Sequence, residues 1–189
     1  MDKYLGKYRN EPNRLQRWDY SSPGKYYITI CIQNREQILC SIENQSVILS
    51  DFGKIVKNEL LKIPEFHKRA ILDEWIIMPD HIHMIIELGC WDYDNGKSVV
   101  GDSSGQIHEF VLKNTTAQDD IKLFRAKRRQ MLLPKIIGKF KMLTSKQINI
   151  ERNTSGQKLW QHDYHVRIIN RDQDYLRIKQ YIIENPKNW

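Results

Sequence analysis

Two histidines, His81 and His83, stand at positions i and i+2 of the segment HIHMIIEL. Side chains alternate between the faces of a strand, so His81, His83, Ile85 and Glu87 share one face while Ile82, Met84, Ile86 and Leu88 form the other, core-facing set. Two imidazoles projecting side by side from a rigid strand can chelate a divalent ion if a third ligand approaches from elsewhere. They can equally be two polar side chains on a half-exposed strand, and H-x-H alone does not choose. A second pair lies near the C-terminus, where Tyr181 precedes Asn185 by four residues. On a helix that spacing puts a phenol and a carboxamide on the same side, one turn apart. The alternative is that Tyr181 packs in the core and Asn185 ends the helix, and Pro186 biases Asn185 away from α geometry.

The elements that must carry these groups follow from the pattern. Tyr26 to Ile32 is β-branched and aromatic and reads as a strand; Ser50 to Leu61, with Ser50 as cap, reads as a helix. From Ala70 to Leu88 two apolar runs flank Met78-Pro79-Asp80, a hairpin of two strands. A helix follows from about Pro134 to Asn149, a strand from about Leu159 to Ile169, and a helix from about Arg171 to Glu184. For that last helix Asn170 is the expected cap, Gln173 the capping-box partner, and Leu176, Ile178, Ile182 and Ile183 the apolar face. The order strand, helix, strand, strand, helix, strand, helix is that of an α+β, ferredoxin-like split βαβ sandwich. Its antiparallel sheet has helices mainly on one face, and the added C-terminal helix carries Tyr181. The 189 residues are expected to form one domain, with residues 1–22 as a polar, Arg-rich arm and residues 89–126 as a variable insertion.

Charge gives the first indication of a partner. Nine bases and no acid lie between Ile121 and Ile150; with those removed from the 30 in the chain, 21 bases face 23 acids. A helix face kept only for solubility usually mixes signs, so a local block of one sign points to a polyanion, and nucleic acid leads. No apolar run approaches the roughly 18 residues of a membrane span, and MDKYLGKYRNEPNR lacks the apolar stretch expected of a signal peptide. Cys31, Cys40 and Cys90 lack framework spacing, as reduced thiols do. A cytoplasmic protein without a membrane partner is expected.

Four ordered blocks, WIIMPDHIHMII, KIIGKFKMLTSKQIN, LWQHDYHVRIIN and DYLRIKQYIIENPKNW, resemble the single-tyrosine HUH transposases, particularly the REP-associated tyrosine transposases and insertion-sequence relatives. RLQRWDYSSPGKYYITICIQNRE is similar to the opening of a bacterial subgroup. The resemblance runs from about Arg14 to Trp189 and fails between about Gly89 and Ala126. It implies His81 and His83 as ligands of one divalent ion, Mg²⁺ or Mn²⁺, Tyr181 as nucleophile, and Asn185 as third ligand, a position where insertion-sequence relatives commonly carry Gln. Tyr164 and Tyr175 have no ligand candidate four residues on and are assigned to packing or DNA contact.

The implied reaction is attack of a tyrosine on single-stranded or hairpin DNA, leaving a 5′-phosphotyrosyl link and a free 3′-hydroxyl that permits rejoining without ATP. Phosphate contacts are expected from Lys139, Lys141 and Lys146, then from Lys127, Arg128 and Arg129, with Arg14 and Arg17 reaching the hairpin. Trp160 is expected in the core rather than under a base. Two alternatives remain open: a metal-dependent nuclease using activated water, and a domesticated hairpin-binding protein without catalysis. Whether Tyr181 serves its own subunit in a monomer or a partner in a homodimer is also open.

Overall fold

The computed structural model describes residues 3–4, 7–8, 15, 18–92, 97–99, 127 and 129–189. Four strands form the main sheet: β1 (Gly24–Cys31), β2 (Ala70–Ile77), β3 (His81–Leu88) and β4 (His165–Ile169). Their order is β4-β1-β3-β2 and every neighbouring pair is antiparallel. Three helices complete the frame: α1 (Asp51–Leu61), α2 (Leu132–Glu151) and α3 (Asp172–Glu184). This is the expected split βαβ arrangement, in which β3 is inserted between β1 and β2.

Strand alternation sorts the sheet into two unequal cores. Ile28 and Ile30 of β1 with Ile82, Met84 and Ile86 of β3 pack beneath Val56 and Leu60 of α1 and Ile136, Ile137 and Phe140 of α2. The opposite face holds a small second cluster, Ile85, Ile169, Ile178 and Ile182, which seats α3. As the central strand, β3 is covered on both sides, so His81 and His83 are only 7% and 5% exposed. They are not on the half-exposed strand that the sequence pattern also allowed.

Local chemistry explains the element boundaries. Ser50 Oγ accepts from Gly53 N at 3.1 Å and donates to Ile38 O, capping α1 against the chain that precedes it. Gly53 is required there because a Cβ would stand 2.0 Å from the Leu39 carbonyl oxygen. An unforeseen hairpin, Cys40–Glu43 with Ser46–Leu49, turns on Asn44 and Gln45, both at positive φ as a tight two-residue hairpin turn demands.

Three sequence expectations change. The edge strand is shorter than Leu159 to Ile169: Trp160 makes one lone bridge to Ile32, and regular pairing resumes only at His165 opposite Thr29. Trp160 enters the core at 4% exposure and donates Nε1–H to Thr144 Oγ1; Gln161 N still donates to Cys31 O at 2.9 Å, and His162 to Tyr164 leave the ladder. Neither Asn170 nor a capping box starts α3. Its N-cap is Arg171, without a side-chain bond, and Asp172 and Asp174 supply the negative charge that favours a helix N-terminus. The apolar face of α3 is narrower than expected, since Leu176 and Ile183 are 63% and 50% exposed and only Ile178 and Ile182 are buried.

Within the expected insertion, Cys90–Asp92 pairs with Lys97–Val99; residues 93–96 and 100–126 lie outside the described residues. Of the expected arm, Lys3–Tyr4 pairs with Lys7–Tyr8, and Arg14 and Arg17 lie outside the described residues. Among the described residues no helix is long and apolar enough to cross a membrane.

Candidate active site

The register of the sheet builds the site. Cys31 lies opposite His81 and Thr29 opposite His83, so Tyr27, Thr29 and Cys31 share the histidine face. The Asp80 carboxylate accepts from His81 Nδ1, and the Asp80 backbone is fixed by Ile32 N, which donates to its carbonyl oxygen at 2.8 Å. A carboxylate on Nδ1 fixes the tautomer and leaves the Nε2 lone pair available. His83 Nδ1 meets the Tyr27 and Thr29 hydroxyls at 2.8 and 2.9 Å. The two Nε2 atoms converge to 3.0 Å. Burial, then the neighbouring His81 and Arg35, push the His83 imidazole down to about 3, so it is neutral at physiological pH.

This donor set fits a divalent ion. Both Nδ1 atoms are engaged by protein groups, and two Nε2 lone pairs facing each other repel unless a proton or a cation stands between them. The 3.0 Å separation suits adjacent nitrogens each about 2.1 Å from one ion. Among the described residues no group of three His, Cys, Asp or Glu side chains is placed to hold a metal ion.

Helix α3 brings the remaining groups. It crosses the histidine face on Ile178 and Ile182, and Lys179 Nζ ties it to Asp73 of β2 at 3.1 Å. Tyr181 then stands edge-on to His83, ring centroids 5.5 Å apart, and remains half exposed. Asn185 keeps right-handed helical angles despite Pro186, with φ −53° and ψ −41°, and is buried. His81, His83, Tyr181 and Asn185 line one cavity of about 520 Å³. Asn188 and Trp189 close one side, the Trp189 ring lying 5.9 Å from that of His81.

Several cavity residues escaped the sequence reading. Arg35 lines the cavity, pairs with Asp80 Oδ2 at 3.1 Å and donates to Cys31 Sγ at 2.9 Å. Asn34 and Arg35 both have positive φ, 57° and 60°, a conformation costing roughly 1 kcal/mol in a residue with a Cβ. No motif in QNRE announces this. Tyr27 and Thr29 were legible once the pairing of β1 with β3 was known. Gln161 and His165 also line the cavity, and only the broken edge strand places them there.

Among the described residues, the bases between Ile121 and Ile150 do not line this cavity. Helix α2 packs on the opposite face of the sheet, and Lys139 Nζ sits over the Phe66 ring, 3.8 Å from its centroid. Lys141 donates to the carbonyls of Gln161 and His162 at 2.6 and 3.0 Å, anchoring the segment that borders the cavity. Lys146, Lys127 and Arg129 are exposed, and Arg128 lies outside the described residues. Tyr164 is buried in the main core, and Tyr175 packs beside the smaller cluster under α3.

The fold and site together define an α+β protein whose sheet presents a buried histidine pair to a tyrosine on a C-terminal helix. The chain is 31% identical over 176 residues to an uncharacterized protein of Haemophilus influenzae, covering 93% of this chain and 87% of that one, and it belongs to that protein's family. No model of a protein family matches the chain. Among solved structures it is similar to a REP-associated tyrosine transposase bound to a REP hairpin, with TM-score 0.49, 15% identity, and coverage of 97% of this chain and 74% of that chain. A putative transposase from Deinococcus radiodurans is similar with TM-score 0.45, 16% identity and 98% coverage of both chains.

Proposed function

We propose that the protein is a DNA strand transferase of the single-tyrosine HUH type, a transposase acting on single-stranded or hairpin DNA. The observation that carries this reading is the convergence of His81 Nε2 and His83 Nε2 at 3.0 Å beneath the ring of Tyr181, in a cavity also lined by Asn185. The ordered sequence blocks around these residues support the same assignment.

His81, His83 and the Asn185 carboxamide would hold one Mg²⁺ or Mn²⁺. When bound, the ion polarises the scissile phosphate and offsets charge developing on it. Asp80, Tyr27 and Thr29 keep both imidazoles in the tautomer that presents Nε2. Tyr181 Oη attacks phosphorus and the bond to the 3′-oxygen breaks. The phenolic proton leaves Oη, and the departing oxygen takes up a proton as the 3′-hydroxyl. The phosphate stays esterified to Tyr181, so attack by another strand's 3′-hydroxyl reverses the step and joins new ends. On this reading α3, which packs on the sheet of its own chain, supplies the tyrosine in cis.

The test is to incubate the protein with single-stranded DNA carrying REP-like hairpins and Mn²⁺, then separate the products under denaturing conditions. Strand transfer predicts a released fragment with a polymerase-extendable 3′-hydroxyl and a remainder that migrates with protein. Cleavage with two free fragments would instead identify a nuclease using activated water.

A further inference from the structure

Arg35 is a cavity-lining cation with no part in the chemistry above. Its side chain is about half exposed, at 53%. Nε is held by Asp80 Oδ2 at 3.1 Å and Nη1 by Cys31 Sγ at 2.9 Å. Asp80 is buried and its other oxygen takes His81 Nδ1, so one carboxylate fixes the spacing between guanidinium and imidazole. Two of the five N–H donors are thereby committed and set the plane of the fork, leaving the others for a ligand.

The backbone adds a second observation. Arg35 has φ 60°, a conformation for which sterics favour glycine, yet the chain places a long cationic side chain there. Among the described residues that line the cavity Arg35 is the one arginine or lysine, and Lys141 nearby is engaged with the carbonyls of Gln161 and His162. A DNA strand entering the cavity brings one negative charge per phosphate.

We propose, on the strand-transferase reading above, that Arg35 is the phosphate-positioning residue of this cavity. Its guanidinium binds the non-bridging oxygens of a phosphodiester in the single strand lying across His81 and His83. Planar, bidentate donation suits that group and gives orientation as well as attraction.

The test uses Arg35→Gly, which is compatible with the left-handed backbone, and Arg35→Lys, both in a Tyr181→Phe background that cannot cleave. Binding of fluorescein-labelled oligothymidylate is read by anisotropy across a salt series with Mn²⁺ present. Arg35→Gly is expected to bind about tenfold more weakly and to lower the slope of log K against log salt by about 0.7, the loss of one phosphate contact on a single strand. Arg35→Lys should restore the slope without the full affinity. Should Arg35→Gly fail to fold, Arg35→Gln gives the same reading. Unchanged affinity and slope in a folded variant overturns the proposal and leaves Arg35 as a counter-ion for Asp80. The adduct assay on protein retaining Tyr181 judges strand transfer separately: Arg35-dependent binding without any adduct would sink that reading and leave the phosphate site standing.

Discussion

Tyr181 stands edge-on to His83, 5.5 Å between ring centroids. The helix and the sheet that carry them are brought together by a small cluster of four buried isoleucines, with Tyr27, Ile76 and Tyr175 packed against it, and by the Lys179–Asp73 ion pair. The tyrosine helix is thus attached to the main sheet by a small core of its own.

That attachment is testable at Ile182, which is fully buried in the small cluster. Ile182→Ala should destabilise the packing of α3 by about 2–4 kcal/mol. Amide exchange should accelerate through residues 172–184 while α1 and α2 keep their protection, because they rest on the other core. Uniform acceleration across all three helices would show that the two cores are not separable.

The histidine pair predicts metal-linked stability. Saturating Mn²⁺ at about 100 times its Kd should add about 3 kcal/mol, and His83→Ala should abolish that gain. Asn185→Ala should reduce it less, since two nitrogens remain. An equal melting shift in the parent and in His83→Ala would remove the ion from this site.

Gly53 tests the cap of α1. Gly53→Ala would drive a Cβ into the Leu39 carbonyl at 2.0 Å, a backbone atom that cannot rotate away. The expected loss is about 3 kcal/mol or more, read from the urea midpoint. A loss below about 1 kcal/mol would mean that the loop before α1 yields readily.

Tyr26 predicts an alkaline limit. Burial pushes its phenol up to about 12, with Asp19 and Tyr20 adding and Trp18 opposing. The folded value lies above the ordinary one near 10, so the neutral form is favoured. The associated stability is present below about pH 10 and is lost as pH rises towards 12, about 3 kcal/mol in all. Denaturant midpoints should fall over that range in the parent and fall less in Tyr26→Phe. Identical slopes in the two proteins would contradict the assignment.

Much of this architecture was readable from residue patterns, and the exceptions have physical causes. The strand–turn–strand around Met78-Pro79-Asp80 and the helix capped by Ser50 follow from local chemistry, and both stand where expected. Asn170 has the right type for a cap but does not cap, because the chain stays extended through Arg171 before the helix turns. Leu176 and Ile183 fit a helical period, but the sheet beneath α3 accommodates only Ile178 and Ile182. Asp80 could have been suspected from its place beside His81. Arg35 could not, because its position depends on a left-handed turn that no glycine marks. Spacing along α2 likewise does not disclose that Lys139 lies over the Phe66 ring while Lys141 bonds the carbonyl of Gln161.

The most direct measurement is a denaturing gel of the protein with labelled single-stranded hairpin DNA and Mn²⁺, followed by peptide mass analysis of any slow-migrating species. A covalent DNA–protein product is predicted, with nucleotide mass on the peptide containing Tyr181, absent in EDTA and absent in Tyr181→Phe. An adduct of equal yield in Tyr181→Phe, or cleavage by that variant at the parent's rate, would contradict the account.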